Sequence, residues 1–297
     1  MDALTPSTDE ISNPPVAEHR VGEKLNAYGL ARRRRERRRK IIRGAIGLAT
    51  VLLLWQVMAV AYDLQLILPP PLAVARTIIN TLTLHYDGPW LYGPNIYEHL
   101  ASSLARAVSG FAIAAALAIP LGLFCGRFRP VREYVDPVIR SLYPIPGIAW
   151  IPLAILWFGL GNGAVIFVVL VAEFFPLYFN TEAGARNINP ILVDAARCFG
   201  AKRLTLLRRV ILPASIPYII TGMRIALGGA WRMIVAGEML ASQSGIGSML
   251  MESRYQFRAN DLMMAMILIS VVGYATERLI VGTLERKTTE KWEVKVF

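Results

Sequence analysis

Apolar residues along this 297-residue chain fall in blocks rather than in an even scatter. Helix needs about 20 residues to cross the hydrocarbon core of a bilayer. Six blocks approach that length, at about 44–62, 104–125, 135–158, 163–180, 216–240 and 262–284. The third is interrupted by Pro144, Pro146, Gly147 and Pro152, and the fifth by glycines and by Arg224 and Arg232. The pattern predicts an all-α membrane protein with about six transmembrane helices.

Composition agrees with the pattern. A hydrophobic content of 55% is too apolar for an ordinary soluble domain. The net charge of +11 raises the question of nucleic acid, but the basic residues cluster at the ends of the apolar blocks, where they set membrane orientation. No nucleic-acid partner is expected. Arg127, Arg129 and Arg132 follow the second block, and Arg197, Lys202, Arg203, Arg208 and Arg209 lie between the fourth and fifth. Arg286 and Lys287 follow the last. The alternate segments are neutral or acidic: 63–99 sets Arg76 against Asp63, Asp87 and Glu98. The positive-inside rule then predicts both termini in the cytoplasm.

Residues 1–40 read as a disordered basic cytoplasmic tail, polar and carrying Pro14 and Pro15. Residues 41–297 read as the membrane domain. The run Arg32 to Lys40 would hold its end inside and touch the anionic headgroups of membrane lipids. This segment is too long and too arginine-rich for a cleaved signal peptide, which predicts a retained anchor. Cys125 and Cys198 form no motif with each other or with His19, His85 and His99, so no metal or cofactor is expected and both cysteines read as packing residues.

The segment 187–213 carries the most information. Asn189-Pro190 suits a helix start, with an oxygen-bearing cap and proline at the first helical position. Asp194 falls in the first turns, where a carboxylate suits the helix dipole, and Ala195 and Ala196 favour helix. Gly200 suits a left-handed stop. A second helical piece, 201–212, would end before Pro213. The spacing predicts a helix, a glycine turn and a second helix that projects from the membrane to dock on another protein.

Asp194-Ala195-Ala196, three residues, Gly200, nine residues and Val210-Ile211-Leu212-Pro213 resemble the EAA loop of binding-protein-dependent ABC importer permeases. Asp194 stands where that loop has Glu, and Val210 where it has Ile. Pro144 to Pro152 with Leu156 to Gly159 is similar to the nitrate, sulfonate and taurine branch, as is Gly222 to Gly228 with Trp231 and Glu238. The resemblance covers about residues 67–285. It implies a type I ABC importer permease fold in a bacterial inner membrane and a small anionic solute. The implied partners are two ABC ATPase subunits, a periplasmic or lipid-anchored solute-binding protein and a second copy of the permease. The ATPase-coupling residues it implies are Asp194, Ala195, Ala196, Gly200, Arg203 and Pro213.

Other functions fit less well. The chain has no phosphate-binding loop and no metalloprotease or hydrolase motif, so ATP hydrolysis is expected on a separate chain. A secondary transporter or channel is the alternative, but neither an internal repeat nor a run of mid-membrane acids is present. Ionisable side chains among apolar helices usually face a partner or a water-filled path. Glu173, Arg224, Arg232 and Glu238 are such groups, and Trp231, Arg232, Glu238 and Glu173 are the candidates for a translocation pathway. Structural ion pairs are the competing reading, favoured for Glu173 and Arg224 and left open for Arg232 and Glu238.

Overall fold

The structure, a computed structural model, describes residues 16–61, 67–83 and 95–288. Among them the regular elements are all helical. The chain divides into two units, Met1–Gln65 and Leu66–Phe297.

Among the described residues the first unit contains one helix, α1 (Val16–Ala61). It passes without a break from the arginine-rich run into the first apolar block, and its stretch Arg38–Ala61 is long and apolar enough to cross a membrane. Residues 16–40, expected as part of an unstructured tail, are therefore helical. The reason is local. No proline occurs between Val16 and Ala61, and Arg, Lys, Glu, Ala and Leu all favour helix. Residues 1–15, with Pro14 and Pro15, lie outside the described residues. Leu48, Val51, Leu53, Leu54 and Val57 are exposed on α1, a surface suited to hydrocarbon rather than water.

The second unit is built on α3 (Ile96–Arg127), α6 (Asn162–Arg186) and α9 (Leu212–Ala241). Helix α6 packs against both of the others. Its Leu177 and Tyr178 are buried with Ala114 and Ala118 of α3 and Ala226 of α9. In lipid, no hydrophobic force draws helices together, so contact depends on close backbone packing past small residues. At Gly122 a Cβ would stand 2.9 Å from the Tyr178 carbonyl oxygen. Helix α11 (Ala259–Thr288) contributes a further span, Ala259–Leu279.

The two interrupted blocks behave differently. The third, expected as one span at 135–158, is a bent pair: α4 (Arg129–Leu142) meets a 3₁₀ turn (Gly147–Trp150) and α5 (Ile151–Phe158) at 92°. Pro144 and Pro146 supply no N–H to the helix ladder, and the chain turns there. The fifth block starts earlier than expected. After α7 (Pro190–Cys198), α8 (Arg203–Leu206) leads through a π turn (Leu207–Ile211) directly into α9, and Leu204–Ala241 is one candidate span. The second helical piece thus does not end before Pro213. The wide turn lets the Leu212 N–H reach the Leu207 carbonyl, five residues back, and the ladder passes Pro213 without ending.

The apolar pattern does not predict two of the helices, α2 (Pro71–Leu82) and α10 (Ile246–Tyr255). Both are shorter than a span. Helix α2 lies against α11, and α10 lies against α9 and α11. The stretch 84–94 lies outside the described residues.

Candidate functional site

Helix α7 forms as its sequence requires. The Asn189 side chain accepts a hydrogen bond from the Ile191 N–H at 3.0 Å, and Pro190 takes the first helical position. At the other end Gly200 has φ +76°. Its N–H donates to the Arg197 carbonyl at 2.8 Å, and the Ala201 N–H donates to the Ala196 carbonyl at 3.0 Å. This pair of bonds is the Schellman stop, which needs a left-handed residue at that position. A Cβ at Gly200 would meet nothing within 4 Å, so the glycine serves backbone conformation rather than packing.

The turn has an inner and an outer face. Val193 is buried with Leu123, Ala185, Leu206 and Ile211, and Ala196 packs against the same cluster. Ile191, Leu192, Phe199 and Leu204 point outward, with Phe199 92% exposed. Asp194 pairs with Arg197 across 3.7 Å, both of them exposed, and Ala195 is exposed. Pro213 lies in the first turn of α9. The backbone of Arg203 begins α8, while its side chain lies outside the described residues. Cys198 is exposed rather than packed, whereas Cys125 is buried.

The four candidate pathway residues are not brought together. Arg232 is exposed and lines a cavity of about 340 Å³ with Tyr143, Pro146, Ala172, Gly229 and Met233. Trp231 is instead buried, 6% exposed, with Gly273 of α11 against its indole. Glu173 is fully buried, and neither of its carboxyl oxygens has a hydrogen-bond partner among the described residues. The ion pair favoured for it from sequence is absent among those residues.

Glu238 is also fully buried, but it is densely partnered. Arg106 on α3 donates to one of its oxygens at 2.7 Å, Ser103 donates to both at 2.8 Å, and the Gly247 N–H donates at 2.9 Å. The same α3 face holds the 242–247 segment. Arg106 also donates to the Ser244 carbonyl and hydroxyl at 2.6 and 2.7 Å, and to the Asn162 side chain at 2.8 Å. His99 accepts from the Gly245 N–H at 2.9 Å, and Ser103 accepts from the Ile246 N–H at 2.9 Å. Gly245 has φ +112°, and a Cβ there would collide with the Glu238 carboxylate. Apart from Glu238, the candidates drawn from the sequence do not include this cluster. Its signal is nonetheless present: His99, Ser103 and Arg106 stand at helical spacing i, i+4, i+7 and form one polar stripe entering an apolar block.

Comparison with known proteins gives a consistent picture. The family model described as "binding-protein-dependent transport system inner membrane component" matches residues 118–290. A putative ABC transporter permease of Methanocaldococcus jannaschii is 37% identical over 231 residues, 77% of this chain and 85% of that protein. The taurine transport system permease of Escherichia coli is 34% identical over 249 residues, 82% of this chain and 88% of that one. Among solved structures, an inward-facing crystal form of the MetNI methionine ABC transporter matches with a TM-score of 0.52 at 19% identity. That match covers 64% of this chain and 95% of the other, and it supports the fold alone. The helical architecture and these matches lead to one assignment: the chain is a membrane permease subunit of the binding-protein-dependent ABC importer family, in its nitrate, sulfonate and taurine branch.

Proposed function

We propose that this permease is a passive conduit for a small anionic solute, driven by ATP hydrolysis on two separate ATPase subunits that grip the α7–α8 turn. In this reading a soluble or lipid-anchored binding protein delivers the solute, and a second copy of the chain completes the pathway. Both termini lie in the cytoplasm, on the side to which the turn projects.

One observation carries the reading. Ile191, Leu192, Phe199 and Leu204 form an exposed apolar face on a turn whose other side is anchored through Val193, Leu206 and Ile211. An exposed apolar patch on a rigid base is suited to protein contact. The inner anchors seat the turn on Leu123 of α3, Ala185 of α6 and the start of α9, so a push on α7 reaches the membrane helices. Asp194, Ala195, Ala196, Gly200, Arg203 and Pro213 are then the residues that shape and orient the coupling turn. The anionic preference rests on Arg232 beside its cavity and on the solutes for which relatives of this branch are named. Trp231, Glu173 and Glu238 are assigned to packing around that route.

The test is deletion of Asp194–Gly200 in the assembled complex. The ATPase subunits should no longer copurify with the membrane fraction, and uptake should cease. Retention of the ATPase with full transport refutes the coupling role. The solute itself is found by measuring ATP hydrolysis of the complex with its binding protein across nitrate, bicarbonate, taurine and alkanesulfonates.

A further inference from the structure

The cavity beside Arg232 is amphipathic, and its lining narrows what it can hold. Its volume of about 340 Å³ falls at the small end of the range for small-molecule pockets. Among the described residues that line it, Arg232 is the one charged group, and the Tyr143 hydroxyl is the one other side-chain donor. Pro144, Pro146 and Pro176 also line it and have no N–H to offer. Most of the remaining wall is apolar, with Phe175, Ile225 and Met233 supplying its largest side chains.

Packing places both parts. A Cβ at Gly229 would stand 3.7 Å from a terminal nitrogen of Arg232, so the guanidinium lies back over that glycine. Among the described residues it has neither an ion pair nor a hydrogen bond. The apolar wall comes from the bend between α4 and α5. A Cβ at Gly147 would stand 2.9 Å from the Met233 methyl carbon, so the 3₁₀ turn rests on that thioether. Tyr143 and Phe175 meet edge-on with ring centroids 5.6 Å apart. An ionised group among apolar helices usually faces a partner or a water-filled path. An inorganic oxyanion entering here would give up hydration on every side and regain it from one guanidinium and one hydroxyl, which leaves polar atoms unpaired. An organic anion uses the whole lining. Its oxygens meet Arg232, while its carbon body buries apolar surface against Phe175, Ile225 and Met233, a gain of about fourfold in affinity per buried methylene.

We propose that this cavity is a subsite for a small organic monoanion, an oxyanion head on an apolar body, rather than for an inorganic oxyanion. The place of the subsite on a transport route rests on the function proposed above. Binding to the cavity itself does not depend on the ATPase.

Saturation-transfer NMR on the full-length chain in phosphatidylcholine nanodiscs, read against empty nanodiscs, tests this with methanesulfonate, propanesulfonate and butanesulfonate. Affinity should rise about fourfold with each added methylene, and an equal concentration of nitrate should not displace butanesulfonate. Arg232→Gln should weaken butanesulfonate binding about tenfold or more. Arg232→Lys, which keeps the charge, should recover part of that loss. Gly229→Leu, which fills the cavity from its wall, should flatten the dependence on chain length; if it misfolds, the gradient in the wild-type chain still decides. A signal no greater than that of empty nanodiscs overturns the proposal, as do a flat response to chain length and ready displacement by nitrate. Butanesulfonate binding that Arg232→Gln leaves unchanged also overturns it. If that variant instead turns a dimer into a monomer with binding unchanged, the cavity is a contact between two copies. The assay contains no ATPase, so these failures are separate from a failure of the coupling turn.

Discussion

The guanidinium of Arg106 and the carboxylate of Glu238 meet at 2.7 Å across 132 residues of sequence, with side chains 4% and 0% exposed. The pair joins α3 to α9 and, through Ser244 and Gly247, pins the segment that links α9 to α10. Removing one partner leaves a buried charge without compensation, at a cost of about 3–5 kcal/mol. Glu238→Leu and Arg106→Met should each lower the melting temperature of the detergent-solubilised permease markedly. The double variant should recover only part of the loss, because the Gly247 N–H, the Ser103 hydroxyl and the Ser244 carbonyl lose their partners as well. Single variants that melt like the wild type would show that the pair does not hold the fold.

Glu173 makes the opposite case. It is sealed between helices with neither carboxyl oxygen hydrogen-bonded among the described residues. A buried polar group left unmade costs about 1–3 kcal/mol. Glu173→Leu should therefore raise thermal stability by about that amount. A fall in stability would reveal a partner contributed by another subunit or another conformation.

Gly200 holds φ +76° in open space, so substitution there tests conformation without steric interference. Gly200→Val should cost roughly 1–2 kcal/mol locally from the left-handed backbone and reduce the ATPase that copurifies. Gly200→Asn should restore it, because asparagine tolerates the same conformation. Equal losses in both variants would point to a side-chain clash with the partner instead.

Arg232 lines its cavity from the exposed side of α9, whereas its neighbour Trp231 is buried. Losing a charge-assisted hydrogen bond to a passing anion, worth about 1.5–3 kcal/mol, corresponds to a tenfold or greater change. Arg232→Ala should lower anion uptake by about that factor while the ATPase subunits still copurify. Undiminished uptake removes Arg232 from the route.

Much of this architecture is legible in the order of residues alone. The apolar blocks mark the spans because a bilayer leaves only helices of that length viable. The 187–213 turn is readable because caps are local: Asn189, Pro190 and Gly200 act on bonds within a few residues. The same locality explains the failures. Pro213 has the look of a stop, yet the π turn before it carries the ladder past. The arginine-rich segment reads as unstructured because its polarity conceals a helix with no breaker. Helices α2 and α10 are too short to announce themselves by length.

The sequence by itself determined most of the apolar spans, the capped helix and glycine stop at 189–200 and the family. These depend on composition and on spacing along the chain. Only the tertiary structure decided which intramembrane charges meet. Glu238 found Arg106, and Glu173 found no partner among the described residues. The physical reason is that an ion pair is settled by the rotation and depth of two helices packed together. One helix's sequence specifies its own periodicity but not the face its neighbour presents.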